Sequence, residues 1–347
     1  MTRMALLKTS RCGPVLPHAS VGWRASEGSV ADTLSKSWNA TVKHAAVPRS
    51  SYTACVINSQ RISVILPAYN AEATLSRTVA GLDLEVIDEV VLVDDASSDQ
   101  TVALARELGL EPICHELNKG YGGNQKTCYR RALELGADVV VMVHPDYQYS
   151  PRLVPALASM IAYGEYDMVL GSRILAQNSV ARGMPRYKYV SNRFLTFVEN
   201  IALRQKLSEY HTGLRAFSSR LLSSMPFERN SDDFVFDNQV IAQAVSAGAR
   251  IGEVSCPTRY EAESSSINLK RSIRYGLGVL QTCADYRLSR LGLRRCDYLD
   301  FEPGQMSVPL AAPRPVDESR TEVSEQSRTL SVETSARRGV ATNAEVA

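Results

Sequence analysis

The sequence predicts an α/β fold built on a mostly parallel β-sheet. Apolar β-branched runs, such as residues 139–143, are typical of strands buried on both faces. Stretches with helical periodicity alternate with these runs along the chain, and polar side chains follow where the runs end. Strands that alternate with helices favour a parallel sheet flanked by helices.

The first half of the chain alternates regularly between predicted strands and helices. Asn70 and either Ser98 or Asp99 are expected to cap two of these helices, and Gly109 is expected just past the end of the second. In order, we predict a strand at 62–70, a helix at 72–82, a strand at 89–93, a helix ending at Leu108, a strand at 111–114, a glycine loop at 118–123, a helix at 124–135, the central strand at 139–143, a helix from Pro151 to about residue 163, and a strand at 167–170.

The second half has a looser pattern. A loop with Arg173, Arg182 and Pro185 precedes a predicted helix at 187–206, on which Val190, Phe194, Val198 and Ile201 form an apolar stripe. We then predict a return to the sheet at 211–217, a helix at 237–248, a strand at 250–254 and a helix at 267–293. The last helix carries an apolar stripe (Ile273, Leu277, Leu280, Ala284, Leu288, Leu291) and a basic face (Arg271, Arg274, Arg287, Arg290).

Composition predicts one folded domain between two tails. Residues 1–59 and 296–347 are poor in large apolar side chains or lack periodicity, so we expect both to be disordered. The domain is expected at 60–258, followed by a basic amphipathic helical region at 259–295. No run of 18 apolar residues occurs, so no membrane-spanning helix is expected.

Charge and cysteine content limit the classes of partner and of site. The net charge of +2 indicates no particular partner, and no nucleic-acid partner is expected. The seven cysteines form no CxxC pair and are odd in number, which argues against a zinc site or a disulfide framework. A reducing, cytoplasmic location fits this pattern.

Two acidic clusters follow strands of the predicted sheet. Asp94 and Asp95 end one strand, and Asp146 follows the central strand. Ligands of open α/β sheets bind just outside the carboxyl ends of the strands, and a carboxylate there is suited to hold a divalent cation against a phosphate. The alternative is that Asp94 and Asp95 only form an Asx turn.

The glycine segment NKGYGGNQKT, residues 118–127, offers backbone amides beside a helix start, together with Lys119 and Lys126. Such a place suits a phosphate. The segment is not a Walker loop and lacks GxGxxG. An ordinary flexible loop before a helix is the alternative.

His144-Pro145-Asp146-Tyr147-Gln148, followed by Pro151, resembles the DxDxQ segment of family 2 glycosyltransferases, especially the group of dolichyl-phosphate mannose synthase and related polyprenyl-phosphate glycosyltransferases. Four further segments add to the resemblance: PAYNAE at 67–72, VLVDDASSDQT at 91–101, GSR at 171–173 and TGLR at 212–215. The resemblance implies a GT-A-like single domain. His144 replaces the first aspartate of the motif, and because Mg²⁺ prefers oxygen ligands this leaves the metal dependence open.

The resemblance also implies roles for individual residues. It places Asp146, Gln148 and, at the substituted position, His144 at a divalent cation, Mg²⁺ or Mn²⁺, on the donor diphosphate. It places the nucleoside against Asp94, Asp95, Pro67, Tyr69, Asn70 and Glu72. Arg173 and Arg215 become candidates for binding a donor or acceptor phosphate, in addition to Lys119 of the glycine segment. Arg215 and Asp237 are also candidates at the reacting centre, where Asp237 lies near the acceptor.

The activity implied is transfer of a sugar, with inversion, from a nucleoside-diphosphate sugar to an acceptor of the polyprenyl phosphate class. A polysaccharide or small-molecule hydroxyl is the alternative acceptor and needs Asp237 as a base; a first-turn aspartate that stabilises its helix is the structural alternative for Asp237. A non-catalytic nucleotide-binding protein is the alternative from another class. The basic helix at 267–293 predicts peripheral contact with the inner membrane face, or packing on its own domain.

Overall fold

The computed structural model of the chain describes residues 57–176, 184–257 and 269–302. The predictions made for residues 1–56 and 303–347, and for the loop residues Arg182 and Gly183, lie outside the described residues. The predicted helix start at residue 267 lies outside them as well.

The described residues contain one mixed sheet of seven strands in the order β3-β2-β1-β4-β6-β5-β7. β6 runs antiparallel to its neighbours β4 and β5, and the other pairs are parallel. The prediction of a mostly parallel α/β sheet is confirmed. The strands are β1 Ile62–Ala68, β2 Glu89–Asp94, β3 Ile113–Cys114, β4 Val139–Met142, β5 Met168–Ser172, β6 Arg215–Ser218 and β7 Ile251–Ser255.

Eight α-helices and two short 3₁₀ helices flank the sheet in the described part of the chain. The α-helices are α1 Glu72–Ala80, α2 Thr101–Glu107, α3 Gly120–Glu134, α4 Val154–Ala162, α5 Arg186–Leu203, α6 Ser219–Ser224, α7 Phe236–Ser246 and α8 Leu269–Arg290. The 3₁₀ helices are Pro151–Leu153 and Phe227–Arg229.

Two hydrophobic cores cover the two faces of the sheet. Alternate residues of the central strand enter different cores, because successive side chains of a strand point to opposite faces. Val140 and Met142 join one core, and Val139, Val141 and Val143 join the other. This burial on both sides explains why the strand is apolar at every position.

The predicted cap of α1 is wrong, and for α2 the predicted Asp99 lies one residue before the cap position, where its carboxylate accepts from the amide of Thr101 at 3.0 Å. The residues before α1 and α2 are Ala71 and Gln100, and neither makes a capping side-chain hydrogen bond. Ser150, just before Pro151 at the start of the next helical segment, makes no capping side-chain hydrogen bond either. The carboxyl-terminal prediction holds for α2, since Gly109 follows its last turn with a φ of +76°.

The predicted boundary of the carboxyl-terminal tail is wrong for residues 296–302. Cys296, Tyr298 and Leu299 are buried in one of the two cores. The backbone carbonyl of Tyr298 accepts a hydrogen bond from Gln243, and Arg229 donates to the carbonyls of Asp297 and Asp300. These contacts order a segment whose composition alone predicts disorder.

Three of the four residues of the apolar stripe predicted on α5 face outward. Val190, Phe194 and Ile201 are each more than half exposed. The buried side of the same helix carries Asn192, Thr196, Glu199, Ala202 and Leu203, so three of its five buried residues are polar. The polar side of this helix is therefore the buried one, because its side chains have polar partners within the domain.

Helix α8 shows the same inversion beside α5. Ile273 and Leu277 of the predicted apolar stripe are more than half exposed, whereas Val279 and Cys283 are buried. α5 and α8 pack against each other, and together they carry an exposed apolar face, which we name the α5/α8 face: Tyr187, Val190, Phe194, Phe197 and Ile201 of α5 with Ile273, Leu277 and Leu280 of α8. None of the described helices combines the length and apolar character needed to cross a membrane.

Candidate active site

Three neighbouring strands end together at the carboxyl edge of the sheet. β1 lies between β2 and β4, with Ala68 beside Asp94 in the register. Just past the three strand ends, Asn70, Ala96 and Tyr147 adopt positive φ angles of 49°, 59° and 56°. Such backbone costs on the order of 1–3 kcal/mol for a residue other than glycine and clusters at ligand sites.

The segment after β1 is locked to the segment after β2 by reciprocal hydrogen bonds. Asn70 accepts from the amide of Ser98 at 2.9 Å, and its own amide donates to Ser97 Oγ at 2.8 Å. Glu72 accepts from the amide of Gln100 at 3.1 Å. The side chains of Asn70 and Glu72, which were expected to line the nucleoside site, thus hold the two loops together at this strand end.

Two other residues of the PAYNAE segment differ in their surroundings. Pro67 is buried within β1. Tyr69 is 55% exposed at the strand end. Its ring is therefore the large apolar surface that this segment offers to a nucleobase.

Asp94 and Asp95 are both buried but face different partners. Asp94 accepts from the amide of Ser97 at 2.9 Å and from its hydroxyl at 2.5 Å, three residues on, which differs from the i to i+2 bond of the Asx turn considered as the alternative. Asp95 lies 2.8 Å from His115 Nδ1. It also accepts from the amides of Lys119 and Gly120 at 2.8 and 3.0 Å.

The glycine segment does not form the predicted loop. Gly120 begins α3, and the amides of Lys119 and Gly120 are taken by Asp95, so the prediction that these amides hold a phosphate is wrong. The glycines serve close packing, because a Cβ at Gly122 would lie 2.3 Å from the carbonyl oxygen of Ser231. Lys126 is buried and donates to the carbonyl of Asn230 at 2.5 Å. The Lys119 residue itself is exposed.

The motif after β4 brings His144, Asp146 and Gln148 to one cavity. Asp146 accepts a hydrogen bond from the amide of Gln148 at 3.0 Å. Burial lowers the pKa of His144 from its ordinary value, more than the nearby carboxylates of Asp146 and Asp237 raise it, which favours a neutral ring. The described residues contain no cluster of three or more His, Cys, Asp or Glu side chains able to hold a metal.

This ligand set fits a metal that is shared with a nucleotide. Asp146, His144 and the side-chain carboxamide of Gln148, which line the same cavity, would supply part of a coordination shell. Mg²⁺ commonly keeps several waters and binds through one or two carboxylates together with substrate phosphates. A diphosphate would supply the missing oxygen ligands, because these residues alone do not complete a coordination shell.

The cavity has a volume of about 530 Å³. Its inner end is polar, with Asp146, Asp237 and His144. Its outer part is lined by apolar side chains of the α5/α8 face, namely Phe194, Ile273, Leu277 and Leu280. Arg173 and Lys188 lie among the residues that line the cavity.

Asp237 is held by two hydrogen-bond donors and one ion pair. Tyr121 donates to Oδ2 at 2.8 Å and Gln125 donates to Oδ1 at 3.0 Å. Nη2 of Arg215 lies 3.0 Å from Oδ2. Asp237 therefore lines the cavity as a carboxylate already committed to partners within the protein.

Arg215 is not among the residues that line the cavity. Its side chain is 1% exposed, and it donates to the carbonyls of Thr212, Tyr210 and Asp237. Burial by itself would lower the pKa of Arg215, but the carboxylate of Asp237 raises it more. Arg215 was expected at the reacting centre. In the structure its side chain is connected to the cavity through its ion pair with Asp237.

Arg173 lines the cavity and is oriented by a buried carboxylate. Its Nε donates to Glu209 Oε1 at 2.8 Å, and its backbone amide donates to Oε2 at 2.7 Å. Asn192 of α5 donates to the same Glu209 at 2.8 Å. The guanidinium also packs over the ring of Tyr149, 5.7 Å from its centroid. Arg173 is thus a fixed positive charge in the cavity wall.

A ring of four polar side chains ties α8 to the rest of the domain. His211 Nδ1 lies 2.7 Å from the hydroxyl of Tyr275, which donates to Asn238 at 2.8 Å. Asn238 donates to Glu199 at 2.6 Å. Nε2 of His211 closes the ring 3.2 Å from Glu199 Oε2, although the alignment falls short of a hydrogen bond. This ring positions α8 as a wall of the cavity.

Sequence reasoning missed Tyr121, Lys188, Glu199 and Tyr275. Tyr121 lies in a segment that was predicted to be a loop. Its position on the first turn of a helix, facing the cavity, could therefore not be predicted. Glu199 and Tyr275 lie on helices whose buried faces were predicted to be apolar. For Glu199 a signal was available in the sequence, because it is a charged residue on the side of the helix opposite the apolar stripe.

Comparison with known proteins identifies the family. A sequence profile of Glycosyl transferase family 2 matches residues 63–225. An uncharacterized protein of Methanocaldococcus jannaschii is 30% identical over 60% of this chain and 86% of its own length. A UDP-N-acetylglucosamine–dolichyl-phosphate N-acetylglucosaminyltransferase of Methanococcus voltae is 30% identical over 57% of this chain and 86% of its own length.

More distant similarity extends to other transferases and to solved structures. An undecaprenyl-phosphate 4-deoxy-4-formamido-L-arabinose transferase of Pectobacterium carotovorum is 28% identical, over 48% of this chain and 51% of its own length. Glucosyl-3-phosphoglycerate synthase of Mycobacterium tuberculosis in complex with UDP superposes with a TM-score of 0.52, at 23% identity, over 68% of this chain and 82% of that one. The same enzyme was solved with Mn²⁺, UDP-glucose and phosphoglyceric acid, with a TM-score of 0.51.

The structural similarity supports the predicted GT-A-like fold. The relatives that are 30% identical match this chain over 86% of their length, which establishes the family. The chain belongs to glycosyl transferase family 2 and is an enzyme that transfers a sugar.

Proposed function

We propose that this chain transfers a sugar from a nucleoside-diphosphate sugar to a polyprenyl phosphate. One observation carries the acceptor class: a single cavity joins the polar end at Asp146 and Asp237 to the apolar side chains of the α5/α8 face. A lipid phosphate has the same division into a charged head and an apolar chain. Two of the relatives are named for transfer to dolichyl phosphate and to undecaprenyl phosphate.

Two cationic side chains suit the phosphate of such an acceptor. Arg173 and Lys188 both line the cavity, together with Asp146 and the apolar side chains of the α5/α8 face. Partial burial, followed by the nearby charge of Arg173, lowers the pKa of Lys188 from its ordinary value. Lys188 thus brings positive charge to a partly buried place beside Arg173, which is already paired with Glu209. An anionic ligand there would offset the repulsion between Lys188 and Arg173.

The state of Asp237 favours a phosphate acceptor over a hydroxyl acceptor. A hydroxyl must lose a proton during attack, which requires a general base. Asp237 already accepts from Tyr121 and Gln125 and pairs with Arg215. A phosphate monoester has a second pKa of roughly 6 and is largely ionised near neutral pH. Its oxygen can attack without a base, and Asp237 then has a positioning role.

For the donor, we propose that Asp146, Gln148 and His144 hold a divalent cation, Mg²⁺ or Mn²⁺, on the diphosphate. The cation, when bound, supplies stabilisation for the negative charge that develops on the leaving nucleoside diphosphate. Tyr69 stacks on the base, and Asp94 and Asp95, with the Asn70 and Glu72 loop, shape the nucleoside side. The acceptor oxygen forms its bond to the anomeric carbon opposite the departing diphosphate, which inverts that carbon.

The α5/α8 face is proposed to contact a membrane surface peripherally. Its exposed aromatic and aliphatic side chains surround the outer part of the cavity. An apolar face can enter the boundary between headgroups and acyl chains without spanning the bilayer. A polyprenyl phosphate would then reach the cavity without leaving the lipid. The expected cytoplasmic location stays a prediction.

The test is release of nucleoside diphosphate that depends on a lipid phosphate. The full chain is incubated with UDP- and GDP-sugars, with Mg²⁺ or Mn²⁺, and with a short-chain polyprenyl phosphate in detergent. The proposal predicts release from one donor class, dependent on both the cation and the lipid phosphate, and lost in Asp146→Ala. Release that proceeds equally without the lipid phosphate, or no release with any donor from folded protein, would overturn it.

A further inference from the structure

Tyr121, at the start of α3, connects two residues of the cavity that are far apart in sequence. Its hydroxyl oxygen lies 2.8 Å from His144 Nε2 and 2.8 Å from Asp237 Oδ2. Its ring also stacks on the imidazole of His144, with ring centroids 5.2 Å apart, and contacts Phe234 at 4.7 Å. The phenol is therefore held in position from several sides.

The hydrogen-bond roles around this hydroxyl follow from its partners. A phenol has one proton to donate. That proton is directed to Asp237, which Arg215 pairs with at 3.0 Å and which Gln125 also donates to. The oxygen of Tyr121 is left to accept from His144. Nε2 of His144 must then carry a hydrogen, and in the neutral ring Nδ1 carries the lone pair.

The orientation of the imidazole is fixed as well. A Cβ at Gly213 would lie 2.3 Å from His144 Cδ2 and 3.1 Å from Nε2, so this glycine packs directly against that edge of the ring. Nδ1 belongs to the opposite edge. His144 shares the cavity with Asp146 and Gln148, and none of the hydrogen bonds among the described residues uses Nδ1 of His144.

We infer that Tyr121 is a positioning residue that holds His144 in the Nε2–H tautomer, with the Nδ1 lone pair offered to the cation bound by Asp146 and Gln148. The inference rests on the proposed function, because it assigns a role toward the donor's cation. Asp237 acts through Tyr121 in this arrangement. A metal-ligating histidine commonly donates its other ring nitrogen to such an outer partner, which fixes its tautomer.

The arrangement has a consequence for metal preference. An imidazole nitrogen binds Mn²⁺ better than it binds Mg²⁺, which favours oxygen ligands. With aspartate replaced by a correctly oriented His144, the site should select Mn²⁺ over Mg²⁺ more strongly than an all-oxygen site. His144→Asp should reduce that selectivity, and so should loss of the Tyr121 hydroxyl.

The test compares Tyr121→Phe with Tyr210→Phe. The first variant keeps the ring and removes the hydroxyl. The second removes another buried tyrosine hydroxyl, which donates to Asn200 at 3.0 Å and lies outside the cavity lining. Binding of Mn²⁺ and of Mg²⁺ is measured by titration calorimetry, and for Mn²⁺ also by electron paramagnetic resonance, with UDP or GDP present. Nucleotide binding without metal is measured in parallel as a check on the folded site.

We expect Tyr121→Phe to weaken Mn²⁺ binding by about 10–100-fold, the range typical for loss of an outer partner of a ligand. Mg²⁺ binding should change much less, and Tyr210→Phe should match the native chain for both ions. Nitrogen-15 spectra, with the His144 signal assigned through His144→Gln, should show the Nε2–H tautomer in the native chain. In Tyr121→Phe the same spectra should show a mixture of tautomers.

The outcomes separate this inference from the proposed function. If the native chain binds nucleotide and Mn²⁺ but Tyr121→Phe binds Mn²⁺ equally well, the positioning role is overturned and the proposed function stands. The Nδ1–H tautomer in the native chain overturns it too. If the native, folded chain binds no nucleotide with either cation, the proposed donor site itself fails.

Discussion

Arg215 and Asp237 form an ion pair with Nη2 and Oδ2 3.0 Å apart and side chains 1% and 10% exposed. The pair joins the first residue of β6 to the first turn of α7 beside the cavity. Breaking a buried pair is costly, because the remaining charge keeps its desolvation penalty and loses its partner. The pair therefore connects the shape of the cavity to the stability of the domain.

Asp237→Asn should accordingly destabilise the fold. We expect the free energy of unfolding to fall by about 3–5 kcal/mol, because Arg215 would keep its charge without a carboxylate. Glu228→Gln is the matched control, since Glu228 pairs with Arg130 at 2.8 Å on the surface and exposed pairs contribute about 0–1 kcal/mol. Urea denaturation measures both. Equal, small losses in the two variants would show that the buried pair is not a structural support.

Phe197→Glu should weaken binding to lipid vesicles. Phe197 is 63% exposed on the α5/α8 face and does not line the cavity, so the fold and the site should survive the change. Burying a large apolar side chain contributes about 1.5–3 kcal/mol, so we expect vesicle affinity to fall tenfold or more. Leu84→Glu, at a residue 57% exposed between α1 and β2, is the control. Cosedimentation in which both variants behave alike would argue against this face as the membrane contact.

Tyr69→Ala should weaken nucleotide binding without unfolding the chain. The ring is 55% exposed at the end of β1, so its loss should change stability little. Stacking of a base on an aromatic side chain contributes roughly 1–3 kcal/mol, which corresponds to about a tenfold or greater loss of affinity. Tyr163→Ala, at a residue 65% exposed at the end of α4, should bind nucleotide as the native chain does. Calorimetric affinities that stay equal in the two variants would remove Tyr69 from the donor site.

Asp167 should make the free energy of unfolding depend on pH. Burial raises the pKa of this carboxyl, but hydrogen bonds from Arg250 and Arg220 outweigh burial and lower the pKa below its ordinary value. A group whose pKa is lower in the folded state stabilises the fold above its unfolded pKa, near roughly 4, and loses that contribution as pH falls through the folded pKa.

We therefore expect Asp167→Asn to cost about 2 kcal/mol at pH 7, as for hydrogen bonds between charged groups. The gap to the native chain should shrink below about pH 4. Urea denaturation at neutral and acid pH measures the gap. A gap of the same size at both would contradict the assigned cause.

The strands and their ends were predictable because burial on both faces leaves an unmistakable apolar run in the sequence. The register then puts Asp94 and the residues after β4 on one edge without further information. The outward apolar stripes of α5 and α8 were not predictable from periodicity, since a helix looks equally amphipathic whether its apolar side meets a core or a lipid. Their orientation depends on the buried partners of Glu199 and Asn192.

The partners of single polar residues were the least predictable part of the site. The resemblance named Arg215 and the glycine segment suggested Lys119, but whether such a residue faces a ligand or a backbone carbonyl depends on contacts between distant segments. Arg215 donates to three backbone carbonyls, and the Lys119 amide meets Asp95 across 24 residues of sequence. The order in residues 296–302 likewise comes from burial against a core formed earlier in the chain.

Direct competition between two acceptors tests the central claim. The native chain is given its sugar nucleotide, the preferred cation, and equal amounts of a polyprenyl phosphate and the matching polyprenol, and the lipids are analysed by mass spectrometry. The account predicts that the sugar appears on the lipid phosphate and that Asp146→Ala makes no product. Transfer to the polyprenol, with the lipid phosphate left unmodified, would contradict it.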